Sequence, residues 1–150
     1  MKRLLVFSLV LSLLSPLAAF AGGLEAFLSN VNVQARVDLP GFSASISNQF
    51  GVPVTQVQAV LHSVREPADA FMVFQLGQFS GRQPESVLDV YRRDKGRGWG
   101  VIAKNLGIKP GSAEFHALKS GNLSFSGRPS ENGAGPGKGK GKGHGKGHNK

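Results

Sequence analysis

The sequence predicts one helix-dominated α+β domain. An N-terminal β-hairpin, or a short helix in its place, packs on about five short helices, and a C-terminal tail follows with no core of its own. Three observations carry this. Pro53, Pro67 and Pro84 each open a segment whose apolar residues recur at helical spacing. Residues 31–47 alternate apolar and polar around Asp38-Leu39-Pro40-Gly41. Glycine recurs at every second position from Gly133 to Gly147.

The elements follow in order. Residues 1–21 read as a cleavable signal peptide: Lys2 and Arg3 give the positive start, and Leu4–Leu14 is an apolar run broken only by Ser8 and Ser12. Ala19-Phe20-Ala21 then supplies the small residues a signal peptidase requires, so cleavage is expected after Ala21. The apolar run is short for a spanning helix, which needs about 20 residues. Leu24, Phe27 and Leu28 fit one or two helical turns, with Asn30 able to end them.

Val31, Val33, Ala35 and Val37 then alternate with polar residues, and Phe42, Ala44 and Ile46 do the same beyond the Asp-Leu-Pro-Gly segment. Period two on both sides of a turn sequence reads as a hairpin with one buried face. A helix over Leu39–Phe50 capped by Asp38 competes with it, with Phe42, Ile46 and Phe50 on one face. The alternation favours the hairpin.

Further helices are expected over Pro53–Val64, Pro67–Phe79, Pro84–Lys95, Trp99–Leu106 and Ser112–Lys119. Proline suits a first helical turn, where its missing N–H has no partner to lose. Ser112 is a suitable N-cap, and Gly81, Gly96 and Gly107 stand where helices end. Val57, Val60 and Leu61 form one stripe; Phe71, Met72 and Phe74 a second; Val87, Val90 and Tyr91 a third. The compact domain therefore spans 22–126. Residues 127–150 form a Gly/Lys/His-rich basic tail of low complexity with no apolar surface to bury, and disorder is expected there.

Charge separates these parts. The chain carries a net +9, yet residues 22–126 hold ten basic and eight acidic side chains. The high pI reports the tail, not a basic groove on the domain. The chain has no cysteine, which excludes disulfides and Cys-ligated zinc. Export would also remove the chain from nucleotide cofactors and from the chromosome, so the expected location is periplasmic or secreted.

The densest segment runs from Gly96 to Lys119 and holds the only Trp, Trp99, between Gly98 and Gly100. Flanking glycines suggest that backbone packs closely around the indole. The run Trp99-Gly100-Val101-Ile102-Ala103-Lys104, Leu106-Gly107-Ile108-Lys109-Pro110-Gly111-Ser112 and Phe115-His116-Ala117-Leu118-Lys119 resembles one in small uncharacterised exported bacterial proteins. That resemblance implies export and the domain limits; it carries no activity and no site residues. Gly107, Ile108 and Ala113 are also similar to the turn of helix-hairpin-helix modules, whose N–H groups grip phosphate. Lys109 stands where such turns have a second glycine.

No nucleophile elbow, zinc-protease motif or paired-carboxylate signature is present. His62 and His116 sit among apolar residues without a Ser or Cys motif beside them. His144 and His148 lie four apart on a glycine-rich chain, where nothing organises them for metal. The expectation is a non-catalytic binding or interaction protein of the cell envelope, with no cofactor and no metal site. Its ligand or partner surface would involve Trp99, Lys104, Lys109 and His116, and its partner would be an envelope protein or glycan. Lys138, Lys140, Lys142 and Lys146 would attract polyanions non-specifically. A periplasmic nucleic-acid or polyanion binder and a small hydrolase are the alternatives.

Overall fold

The computed structural model describes residues 22–126. The expected signal segment, 1–21, and the expected basic tail, 127–150, lie outside them. The described chain folds as seven helices: α1 (Gly22–Val37), α2 (Leu39–Phe50), α3 (Val54–Leu61), α4 (Pro67–Ser80), α5 (Pro84–Asp94), α6 (Trp99–Asn105) and α7 (Ala113–Ser120). A short 3₁₀ turn, Lys95–Arg97, joins α5 to α6. Among the described residues there is no strand, and no helix is long and apolar enough to cross a membrane.

The expected hairpin is therefore wrong, and helical spacing explains why. Leu28, Val31 and Ala35 are buried on α1, while Val33 and Val37 are 59% and 83% exposed. The helix runs through exposed Asn30 without a break, and the two outward valines complete a false alternation. On α2, Phe42 and Ile46 are buried and Ala44 is exposed. The serines that looked like the polar face of a strand bond back inside the helix: Ser43 Oγ donates to Leu39 O and Ser45 Oγ to Gly41 O, each at 2.9 Å.

The Asp-Leu-Pro-Gly segment is a helix start. Asp38 N donates to Gln34 O at the end of α1, and Asp38 O accepts from Phe42 N in α2. Its carboxylate accepts from Gly41 N at 2.9 Å, so one residue closes one helix and caps the next.

α4 is the axis of the fold. It is buried nearly all round, from Ala68 to Gly77, as a helix without a solvent face must be. α1, α2, α3 and α5 pack against it. The chain then continues through α6 to α7, and α7 returns to α1, so the last helix packs on the first. There Gly23 lies against Ser120 and Gly121; a Cβ on Gly23 would strike Ser120 O, and one on Gly121 would strike Gly23 O.

Phe71 is fully buried at the centre of an aromatic cluster, with Phe27, Phe50 and Phe125 rings at 5.3, 5.7 and 5.8 Å. Phe125 arrives from beyond α7, in a segment that Gln49 fixes through Ser124 O at 2.7 Å and Ser126 N at 2.9 Å.

Glycines end four of the helices. At α6, Gly107 N donates to Lys104 O and Ile108 N to Ala103 O, the paired bonds of a Schellman end. Gly96 does not terminate α5; the backbone turns at Gly98, whose φ of +86° suits glycine.

Candidate ligand crevice at Trp99

Trp99 is the first residue of α6 and is half-buried. Two contacts set its place. The first is Tyr91 on α5, only 3% exposed, whose ring stacks on the indole at 5.4 Å and 23°. The second is indirect. Asp94, the last residue of α5, is buried and accepts from Asn105 Nδ2 of α6 at 2.9 Å, with Arg93 Nε at 3.3 Å and Arg97 Nη1 at 3.5 Å. The Asn105 bond, with the two guanidinium groups in support, holds the Asp94 carboxyl below its usual range despite burial. α5 and α6 are thereby clamped across the 3₁₀ turn.

Below the indole lies a hydrogen-bonded relay. Tyr91 donates its O–H to Asp69 Oδ2 at 2.7 Å. Asp69 is the third residue of α4 and also accepts from Glu66 N at 3.3 Å, which caps the helix. Burial, and then the Asp69 carboxylate, push the Tyr91 hydroxyl up to about 12. Tyr91 therefore stays a neutral donor at any physiological pH.

A pH test follows. The unfolded hydroxyl titrates at its ordinary value of 10.0, below the folded value. Its contribution to stability is complete below about pH 10 and is lost as pH rises toward 12, on the order of 2 kcal/mol in all. Urea unfolding at pH 8 and pH 11.5 should show the gap between the native chain and Tyr91→Phe shrinking by that amount. An unchanged gap contradicts the assignment.

Two crevices meet at Trp99, Asp69 and Glu66. One, of about 440 Å³, runs along α1 and adds Glu25, Asn32 and Arg36. The other, of about 380 Å³, adds Arg65, Lys95 and Tyr91. Arg36 Nη2 bonds Glu66 Oε2 at 2.9 Å across the first, an exposed pair worth little energy by itself. Asn32 Oδ1 accepts from Ala68 N at 2.8 Å and pins α1 to the start of α4. The glycines beside Trp99 do not mark crowding, since a Cβ on Gly98 or Gly100 would meet nothing within 4 Å. Gly98 is required by its backbone angle alone.

The other sequence-predicted residues lie elsewhere. Lys104 on α6, Lys109 in the turn and His116 on α7 are all exposed, and none lines either crevice with Trp99. Lys138, Lys140, Lys142 and Lys146 fall outside the described residues.

The helix-hairpin-helix likeness loses its phosphate donors, because Gly107 N and Ile108 N are bonded to α6 carbonyls. At the start of α7, the Glu114 carboxylate is held below its usual range by its own N–H and by Ser112. It puts negative charge where a phosphate would have to sit.

His62 is exposed and lines a third crevice, of about 450 Å³, with Ser43, Gln58, Arg65 and Glu66. Its Nδ1 donates to Gln58 O at 2.7 Å, and Ser43 Oγ donates to Leu39 O. These two side chains are not joined as a nucleophile and its base. Among the described residues no group of His, Asp and Glu is arranged to hold a metal ion.

The sequence reading missed Tyr91, Glu66, Glu25 and Arg36 as neighbours of Trp99. They come from three different helices, and no local spacing announces them. Neither a protein-family model, nor a curated protein, nor a solved structure matches the chain.

Proposed function

We propose that the chain is an exported cell-envelope protein that binds a ligand without transforming it, and that the crevice at Trp99 is its binding surface. A half-buried indole, supported by a buried Tyr and opening onto crevices on both sides, is the observation that carries the reading. Isolated core tryptophans are covered; one that lines concave polar surface offers a flat apolar face beside hydrogen-bonding groups, which suits a glycan ring or a protein side chain. Export rests on the character of residues 1–21.

In the test, mature protein is titrated with envelope glycan fragments and passed over an immobilised envelope extract. Trp99→Ala should lower affinity for the captured ligand at least tenfold, about 1.4 kcal/mol, with unchanged helical content. Equal capture by the variant overturns the assignment of the surface. A cytosolic chain that retains Met1 overturns the envelope placement.

The polyanion alternative has thinner support. Lys104 and Lys109 are exposed near the α6–α7 turn, but the turn amides are occupied and the domain is nearly balanced in charge.

A further inference from the structure

Resting on that reading of the crevice, we infer that its ligand is a short peptide with free ends, its ammonium held on the α1 side of Trp99 and its carboxylate on the α5 side. Among the described residues, the charged groups that line the two crevices are Glu25, Glu66 and Asp69 against Arg36, Arg65 and Lys95, so the surface around the indole is neutral as a whole. It is not neutral on each side. Arg36 and Glu66 pair at 2.9 Å and cancel. Asp69 belongs to both crevices and is bonded by the Tyr91 hydroxyl and the Glu66 amide. The remaining charges are separated by sign. Glu25 lines the α1 side and not the other, whereas Arg65 and Lys95 line the α5 side and not the first. All three are exposed, and among the described residues their side chains have no hydrogen-bond or ion-pair partner. The potential therefore changes sign across Trp99: negative from Glu25 and Asp69, positive where Arg65 and Lys95 outweigh Asp69.

A ligand of one sign gains on one side and loses on the other, and a dipolar ligand gains on both. The groups suit its two ends. An ammonium beside Glu25 meets a carboxylate and the indole ring, which hold it by charge-assisted hydrogen bonds and by the ring quadrupole. A carboxylate on the α5 side meets the planar fork of a guanidinium and a second cation.

The middle of a peptide is also provided for. Leu28 and Ile102, both buried, give the two crevices an apolar floor on which side chains can rest. Asn32 gives its Oδ1 to Ala68 N and keeps its amide N–H groups for a peptide carbonyl. A single amino acid carries both charges on one carbon and has no length with which to straddle a ring. Two or three extended residues span about 7–11 Å. Tyr91 and Asp69 hold the indole in place before the ligand arrives, so little ordering remains to be done on binding.

The test titrates the mature protein with trialanine, with its N-acetyl form, which lacks the ammonium, and with its C-terminal amide, which lacks the carboxylate. Trp99 is the only tryptophan, so its emission reads the site, with calorimetry beside it. Trialanine should bind, and each blocked form should bind at least about fivefold more weakly. Glu25→Gln should weaken trialanine by a similar factor and leave the N-acetyl form unchanged. Lys95→Gln should weaken trialanine and leave the amide unchanged, as expected when each side chain is coupled to one end. Variants that bind trialanine as the native chain does overturn the assignment of the two ends. Equal binding of the three forms overturns recognition by charge, and alanine binding as tightly as trialanine overturns the span. No response to trialanine at up to about 10 mM overturns the peptide class. Each of these failures leaves the broader reading intact, provided Trp99→Ala still loses the envelope ligand; if Trp99→Ala keeps it, the crevice falls and the peptide with it.

Discussion

Phe71→Ala is expected to lower the unfolding free energy by about 3–5 kcal/mol, the range for removing a fully buried phenyl ring from a close-packed core. Phe71 is 0% exposed and touches rings from α1, α2 and the segment after α7. Neighbours from three parts of the chain cannot all move inward, so the cavity stays open and its cost adds to the lost transfer energy. The midpoint of thermal unfolding should fall by roughly 12 °C or more, at about 4 °C or more per kcal/mol for a domain near 100 residues. Phe27→Ala, at the half-buried rim of the same cluster, should cost less. A Phe71 loss below about 1.5 kcal/mol would mean that the cluster is looser than its ring distances indicate.

Asp69→Ala is expected to cost about 2–4 kcal/mol, from two losses at one carboxylate. The start of α4 loses the acceptor for Glu66 N, and the buried Tyr91 hydroxyl loses its acceptor at 2.7 Å. Asp69→Asn keeps an acceptor oxygen and should recover most of that stability. Tyr91 is the only tyrosine, so absorbance titration reads it alone. In either variant its hydroxyl should titrate below about 12, because the carboxylate supports the upward shift, yet above 10.0, because burial is the larger cause. A titration unmoved by both substitutions would remove Asp69 from the account of Tyr91.

These two residues also show what the chain discloses about itself. Pro53 stands just ahead of α3, and Pro67 and Pro84 begin α4 and α5, because a residue without an N–H is tolerated where helices start. Ser112 caps α7 through Phe115 N at 3.2 Å, again a signal contained in a few adjacent residues. The hairpin expectation failed because periods of 2 and 3.6 coincide over short runs, and two serines that bond back within α2 imitate a polar face. Asp38 shows the same ambiguity in a single residue, since the chemistry that suits a turn also suits an N-cap.

α4 was legible as a helix over Pro67–Phe79 with a stripe of Phe71, Met72 and Phe74, but not as the axis of the fold. Its burial on all sides depends on four neighbours that no local window contains. Trp99 drew notice as the lone tryptophan between glycines, whereas Asp69 and Tyr91 are 22 positions apart and meet only through the packing of α4 on α5.

The meeting of Gly23 with Ser120 and Gly121 has a kinetic consequence. Those residues lie almost the full length of the described chain apart, so joining them closes the longest loop in the bundle. α1, α2, α3 and α5 can dock on α4 through shorter loops, whereas α7 reaches α1 only when the two ends of the bundle meet.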